Sequence, residues 1–180
     1  MLNLPFVPSW NGLHPLIVHF PIALLFVAPL FVILGIVVGP LKGRPFLVSA
    51  LILMALGTGS IFVAVETGEL ASELVRSTSA VRAVLQQHQN LAETTEVLFT
   101  LLTVVLAALL YAPKLLRREL GLRVLVALLA AFLLFYITGA LFLVKTAHQG
   151  ARLVHELGVK APVASSVVAT DLVSSAGRGD

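Results

Sequence analysis

Four long apolar runs dominate the sequence and limit what the chain can fold into. They cover residues 13–38, 45–65, 93–112 and 123–146, and a helix of about 20 apolar residues is long enough to cross a bilayer. Charged residues make up 12% of the chain, whereas a soluble domain carries roughly a quarter. The sequence therefore predicts an all-α fold, an integral membrane four-helix transmembrane bundle over residues 1–160, followed by a flexible C-terminal tail at 161–180.

Lysine and arginine are concentrated in two short connections between these runs. Lys42 and Arg44 follow the first run, and Lys114, Arg117, Arg118 and Arg123 follow the third. Short basic loops face the cytoplasm, so both termini and the middle connection are expected on the periplasmic side of a multi-pass inner-membrane protein. This topology also explains the formal charge of +3, so membrane lipid is an expected partner and nucleic acid is not.

The absence of cysteine narrows the cofactor chemistry. The chain has no cysteine, which excludes disulfides, thiolate metal sites, iron–sulfur clusters and covalently attached c-type haem. The first apolar run also lacks the basic start of a cleaved signal peptide, so we expect an uncleaved membrane helix. Any metal or haem must be held by His, Met or carboxylate.

All five histidines fall on the predicted periplasmic side. His14 and His19 open the first run, His88 precedes the third, and His148 and His155 close the fourth. An ionisable residue inside an apolar run, such as His19, is costly and indicates function. At about 100° per residue, His14 and His19 point some 140° apart, so each needs a partner from another helix, and His88 and His148 are available.

Imidazoles contributed by different helices favour a haem site. Neutral imidazole suits zinc, copper or haem iron, but no His-x-x-x-His pair is present to build a zinc site on one helix. We expect one or two b-type haems bound through cofactor- and iron-binding histidines whose pairing stays open, namely His14, His19, His88 and His148. Three small residues are Gly57, Gly59 and Gly139. They could give a porphyrin room, or they could serve helix packing alone. Two carboxylates are Glu66 and Glu93. They could accept protons or orient an imidazole, or they could be ordinary interfacial residues.

The stretch "LHPLIVHFPIALL", Leu13–Leu25, resembles the opening signature of a bacterial family of four-helix membrane proteins classed as a domain of unknown function (DUF2231). The shared residues are His14-Pro15 and "VHFPIA" at 18–23. Thr67-Gly68 after the second run and His88 before the third also resemble the family. Some relatives are fused to or encoded near cytochrome c-like modules, which implies redox work. The family's closing motif is altered here to "GARLVHELG" at 150–158, where His155 takes a Tyr-like place, so its role stays open.

Three functions follow from these features. The first is transfer of electrons between quinol and a periplasmic-side acceptor such as a cytochrome c-like partner, as an electron-transfer or accessory subunit rather than a stand-alone enzyme. The second is a non-catalytic structural or docking subunit of a larger membrane complex, with histidines that are only hydrogen-bonded. The third is a proton- or metal-coupled transporter, which is disfavoured because no run carries a charge near its middle.

Overall fold

The computed structural model describes residues 10–39, 42–75, 78–117 and 121–160, with only the backbone of Asn11. A 3-10 turn at Trp10–Gly12 precedes the helices α1 (His14–Ile17), α2 (His19–Val38), α3 (Arg44–Ser72), α4 (Ser79–Leu115) and α5 (Leu122–His155). Four helical segments, with α1 and α2 counted as one, are long and apolar enough to cross a membrane. The predicted all-α transmembrane bundle is confirmed, while the predicted tail at 161–180 lies outside the described residues.

The last three helices extend beyond the apolar runs from which they were predicted. α3 continues to Ser72, α5 continues to His155, and α4 begins at Ser79, well before residue 93. Thr78 caps the start of α4, because its hydroxyl accepts a hydrogen bond of 3.3 Å from the Val81 N–H. Hydropathy marks only the part of a helix that meets lipid. In the polar stretch before the third run, Val81, Val84 and Leu85 recur at helical spacing, which predicts helix, and the structure confirms it.

The helices form an up-down ring of two hairpins. α2 packs on α3, α3 on α4, α4 on α5, and α5 closes on α2, while in the described parts of the diagonal pairs, α2 with α4 and α3 with α5, no Cα atoms approach within 8 Å. The two basic connections share one end of the bundle. The α3–α4 connection, the start of α1 and the end of α5 share the other end, which is where the histidines lie.

The pattern of buried residues repeats between the two hairpins. Buried positions of α2 recur 74 residues later in α4, as in the pairs Pro21 and Thr95, Leu25 and Phe99, Ala28 and Leu102, Val32 and Leu106. Buried positions of α3 recur 82 residues later in α5, as in Leu47 and Leu129, Ala50 and Phe132, Met54 and Tyr136, Gly57 and Gly139, Ile61 and Leu143, Thr67 and Gln149. The hairpins are therefore related by an approximate two-fold rotation about the bundle axis. Because the paired residue types mostly differ, no repeat is convincing in the sequence.

Two prolines shape the first span. Pro21 has no N–H to offer the carbonyl of Ile17, and the helix is interrupted at Val18, between α1 and α2. Pro29 in the same way leaves the carbonyl of Leu25 without a helical donor. That carbonyl accepts a hydrogen bond of 2.6 Å from the hydroxyl of Tyr136 on α5. The break places His14 on a separate turn at the mouth of the bundle, and the tyrosine ties α5 to α2 in its interior.

Candidate functional site

A cavity of about 540 Å³ lies at the histidine end of the bundle. Cofactor and ligand pockets typically measure about 300–1,000 Å³. Its lining comes from all five helices and is mainly apolar, with many small residues, including Ala64, Gly68, Ala71, Ala92, Ala147, Gly150 and Ala151. The small side chains leave space between the helices, and the volume lies within the range of ligand pockets.

His14 is fastened to the other helix of its own hairpin. Its Nδ1 lies 2.8 Å from the carbonyl oxygen of Ala64 on α3 and 3.4 Å from the Thr67 hydroxyl. A carbonyl can only accept, so Nδ1 carries the proton and donates it. The ring lies directly over Gly68, where an added Cβ would come within 2.9 Å of His14 Cε1. Glycine at this position is what lets the imidazole approach α3 so closely.

His88 is held in the same way in the second hairpin. Its Nδ1 lies 2.9 Å from the carbonyl oxygen of Thr146 on α5. An added Cβ on Gly150 would come within 3.1 Å of His88 Cε1. The Thr146 hydroxyl is in turn 3.0 Å from the hydroxyl of Thr95 on α4, so α4 and α5 are joined twice at this level.

The two histidines and the groups that hold them are separated by the same numbers of residues as the paired core positions. His14 and His88 are 74 residues apart, like Leu25 and Phe99 on α2 and α4. Their carbonyl acceptors and their underlying glycines are each separated by 82 residues, like the paired core positions of α3 and α5. The imidazoles are therefore counterparts under the two-fold relation, and they meet across its axis.

In each of the two rings, the Nε2 nitrogen is not used in the hydrogen bonds described above. The ring centroids are 6.4 Å apart and the ring planes are at 86°. With Nδ1 protonated, neutral imidazole keeps its lone pair on Nε2, and no hydrogen bond from the described part of the chain reaches either Nε2. A metal held by one nitrogen from each of two rings, at about 2.0–2.1 Å from each, separates the centroids by roughly 6.3 Å. The observed spacing fits a metal between the rings.

The remaining side chains do not complete a site for a bare ion. A structural zinc site uses four protein ligands, and the described residues contain no group of three or more His, Asp or Glu placed to share a metal. Two imidazoles held on different helices would instead suit a metal that brings its other ligands with it, as iron does in haem. The donor set, the ring spacing and the cavity size therefore fit a b-type haem.

The structure brings together only two of the four histidines proposed as ligands. His19 lines the cavity but is exposed and lies apart from the pair, and His148 is exposed and outside the lining. His148 lies two residues after Thr146, which turns it about 200° around α5, away from His88. His155 lines the cavity and is exposed.

The other proposed residues are distributed differently from the expectation. Gly57 packs against Leu25, with an added Cβ only 2.7 Å from its Cγ, and Gly139 packs against Leu102. Gly59 has no neighbour within 4 Å, and none of the three glycines lines the cavity. Glu93 lies in the lining while Glu66 is exposed outside it. The first two of these glycines serve packing within each hairpin.

Sequence reasoning missed the groups that hold the two rings. These are the carbonyls of Ala64 and Thr146, the glycines at 68 and 150, and the Thr95 hydroxyl. One signal for them was present, because Thr67-Gly68 was part of the family resemblance. Its counterpart Gln149-Gly150 is recognisable only once the 82-residue offset is known.

Residues 11–162 match the family described as "Predicted membrane protein (DUF2231)". No curated protein and no solved structure matches the chain significantly. The match spans most of the 180 residues, so the chain belongs to this family of membrane proteins.

Proposed function

We propose that this member of the DUF2231 family binds one b-type haem between Nε2 of His14 and Nε2 of His88. In this role it carries electrons between quinol in the bilayer and an acceptor on the periplasmic side. The observation that carries the proposal is the imidazole pair, with its centroids 6.4 Å apart at the cavity. The proposal takes one pairing of the four candidate ligands.

The way in which the rings are held supports a ligand role. Metal-binding histidines almost always donate their second N–H to a carbonyl or carboxylate, which fixes the tautomer and the ring orientation. Both rings do so here, through Ala64 O and Thr146 O. A glycine beneath each ring permits the close approach to the neighbouring helix on which these hydrogen bonds depend.

The donor set favours electron transfer over substrate turnover. His14 and His88 would hold the haem, which would supply one-electron chemistry and, with both imidazoles bound, would leave no position open for a substrate. The chain holds the imidazoles apart, surrounds the site with apolar side chains and donates each Nδ1–H to a backbone carbonyl. Such hydrogen bonds and burial are the means by which a protein sets a reduction potential.

Charge placement supports the periplasmic direction. Lys42, Arg44, Lys114 and Arg117 lie at the end of the bundle opposite the cavity. Short basic loops favour the cytoplasm, which puts the histidine end at the periplasmic face of a bacterial inner membrane. A quinol would reach the site from the bilayer, and a cytochrome c-like partner would reach it from the periplasm.

Spectroscopy of the full chain tests the proposal. The protein, expressed with added haem precursor and purified in mild detergent, should show a reduced-minus-oxidised b-haem spectrum. The oxidised form should give the strongly anisotropic low-spin EPR signal of nearly perpendicular axial imidazoles, as the 86° between the ring planes requires.

Single substitutions assign the ligands. His14→Ala and His88→Ala should each abolish the low-spin signal, while His148→Ala, which removes an exposed imidazole outside the cavity, should keep it. A folded, colourless wild-type protein would refute haem binding and favour a docking subunit. Equal retention of the signal in all three variants would refute the pairing.

A further inference from the structure

The two sides of the cavity differ in charge although the fold relates them. One side lies between α3 and α4, and the other lies between α2 and α5. Glu93 on α4 corresponds to His19 on α2, and Glu69 on α3 corresponds to Ala151 on α5, by the offsets of 74 and 82 residues. All four line the cavity. The two-fold relation therefore holds for the imidazole pair but fails for the charges around it.

The α3–α4 side carries acidic residues, and a side-chain hydrogen bond joins its two helices. Glu69 and Glu93 both lie close enough to Glu96 to act on it electrostatically. The amide Nε2 of Gln89 on α4 donates to the Ser72 hydroxyl on α3 at 3.4 Å. A ligand carboxylate on this side would meet like charges, and the described lining residues of α3 and α4 include no lysine or arginine to offset them.

The elements of the other side, α2, α5 and the residues that follow α5, contribute further lining groups that can be cationic. His19 on α2, His155 at the end of α5 and Lys160 just beyond it all line the cavity. Lys160 is the one lysine or arginine among the described lining residues. The ion pair nearest to it in the chain, Arg152 with Glu156, is closed within α5 at 2.9 Å and leaves Lys160 outside it.

We propose that His19, His155 and Lys160 form an anion-accepting edge that binds the carboxylates of the ligand. Glu69 and Glu93 exclude those carboxylates from the opposite side. This proposal rests on the proposed function, because b-type haem carries both of its propionates on one edge. The chain thereby selects a ligand with anionic groups on a single edge and seats it in one orientation across a nearly symmetric pair of imidazoles.

A comparison of two porphyrins tests the edge. The full-length protein in detergent is titrated with haem and with the uncharged dimethyl ester of the same iron porphyrin, and the two dissociation constants are compared. Wild type should prefer haem, and added salt should weaken the preference. Lys160→Gln should lower it by up to about fivefold, the size expected for one exposed ion pair, and Lys160→Glu should lower it further.

A double variant that exchanges the two side chains, His19→Glu with Glu93→His, tests the orientation of the bound haem. Proton NMR of the oxidised haem resolves the ring methyl groups and so reports orientation. The double variant should show ring-methyl signals at chemical shifts different from those of wild type, and unchanged shifts would contradict the proposed edge. Lys145→Gln is the matched control, because Lys145 is exposed near the Phe142 ring and outside the cavity lining.

The outcomes separate the two proposals. Equal affinity of wild type for both porphyrins, or an equal effect of Lys160→Glu and Lys145→Gln on the preference, would overturn the anion-accepting edge. The low-spin signal would then still stand for the imidazole pair. Failure of wild type to bind either porphyrin would overturn both.

Discussion

The hydrogen bond from Tyr136 to Leu25 gives a sharp test of how the bundle interior is satisfied. Tyr136→Phe removes the donor and keeps the ring, whose contacts with Phe99 and Phe132, at centroid distances of 5.5 and 5.8 Å, remain. The Leu25 carbonyl then has no partner, because Pro29 cannot donate to it. Leu25 is only 1% exposed, so neither water nor lipid headgroups can replace the lost donor.

The expected cost follows from this isolation. An orphaned buried polar group costs about 1–3 kcal/mol, and hydrogen bonds measured inside membrane proteins average about 0.6 and reach about 1.7 kcal/mol. For a bond of 2.6 Å with no substitute donor, we expect the free energy of unfolding to fall by about 1.5 kcal/mol. That is roughly a tenfold change in the ratio of folded to unfolded protein.

A double-mutant cycle identifies the cause. In a Pro29→Ala background, the new N–H at residue 29 can donate to the Leu25 carbonyl, so Tyr136→Phe should cost less than about 0.5 kcal/mol. Unfolding in mixed micelles at increasing SDS fraction measures all four proteins. Tyr111→Phe is the control, because Tyr111 is 46% exposed. Equal costs of Tyr136→Phe in both backgrounds would refute the reasoning, as would a cost no larger than that of Tyr111→Phe.

Two further predictions concern the second hairpin. Gly150→Ala places a methyl group about 3.1 Å from Cε1 of His88, so it should weaken haem binding in a titration. The control Gly59→Ala, whose added Cβ meets no neighbour within 4 Å, should leave binding unchanged. Full haem binding by Gly150→Ala would contradict the close contact between the His88 ring and Gly150. Thr95→Val removes the hydroxyl contact with Thr146 and should lower the free energy of unfolding by about 1 kcal/mol. Thr94→Val should change it by less than about 0.5 kcal/mol, since that hydroxyl bonds only within its own helix, and equal effects of the two threonine variants would show that the contact contributes nothing.

Much of the fold is determined by hydropathy and much of the site is not. Four apolar runs predicted the transmembrane bundle, and an even number of crossings between His14 and His88 predicted that both lie at one end. Hydropathy does not mark the polar start of α4, because residues 79–92 form helix without being apolar. The helical spacing of Val81, Val84 and Leu85 predicts helix there, and this prediction is confirmed. Hydropathy reports contact with lipid, and this part of α4 carries polar side chains.

To predict that His88 rather than His148 lies beside His14, one must know which face of α5 points into the bundle. At the end of that helix the buried side includes Gln149, so apolar spacing does not mark which residues face inward. Glycines were ambiguous for a related reason. A small residue in a membrane helix predicts a close approach, but not whether the approaching group is Leu25, as at Gly57, or an imidazole, as at Gly68.

Each imidazole is anchored within its own hairpin, His14 to α3 and His88 to α5. A ligand that joins the two rings therefore crosslinks the halves without strengthening either one internally. Ligand at a hundred times its dissociation constant adds about 2.7 kcal/mol to the folded state. A substitution that weakens the α3–α4 interface would therefore be compensated by ligand binding, which restores stability to the folded state. A substitution that unfolds one hairpin would not be compensated, because it also removes that hairpin's imidazole from the binding site.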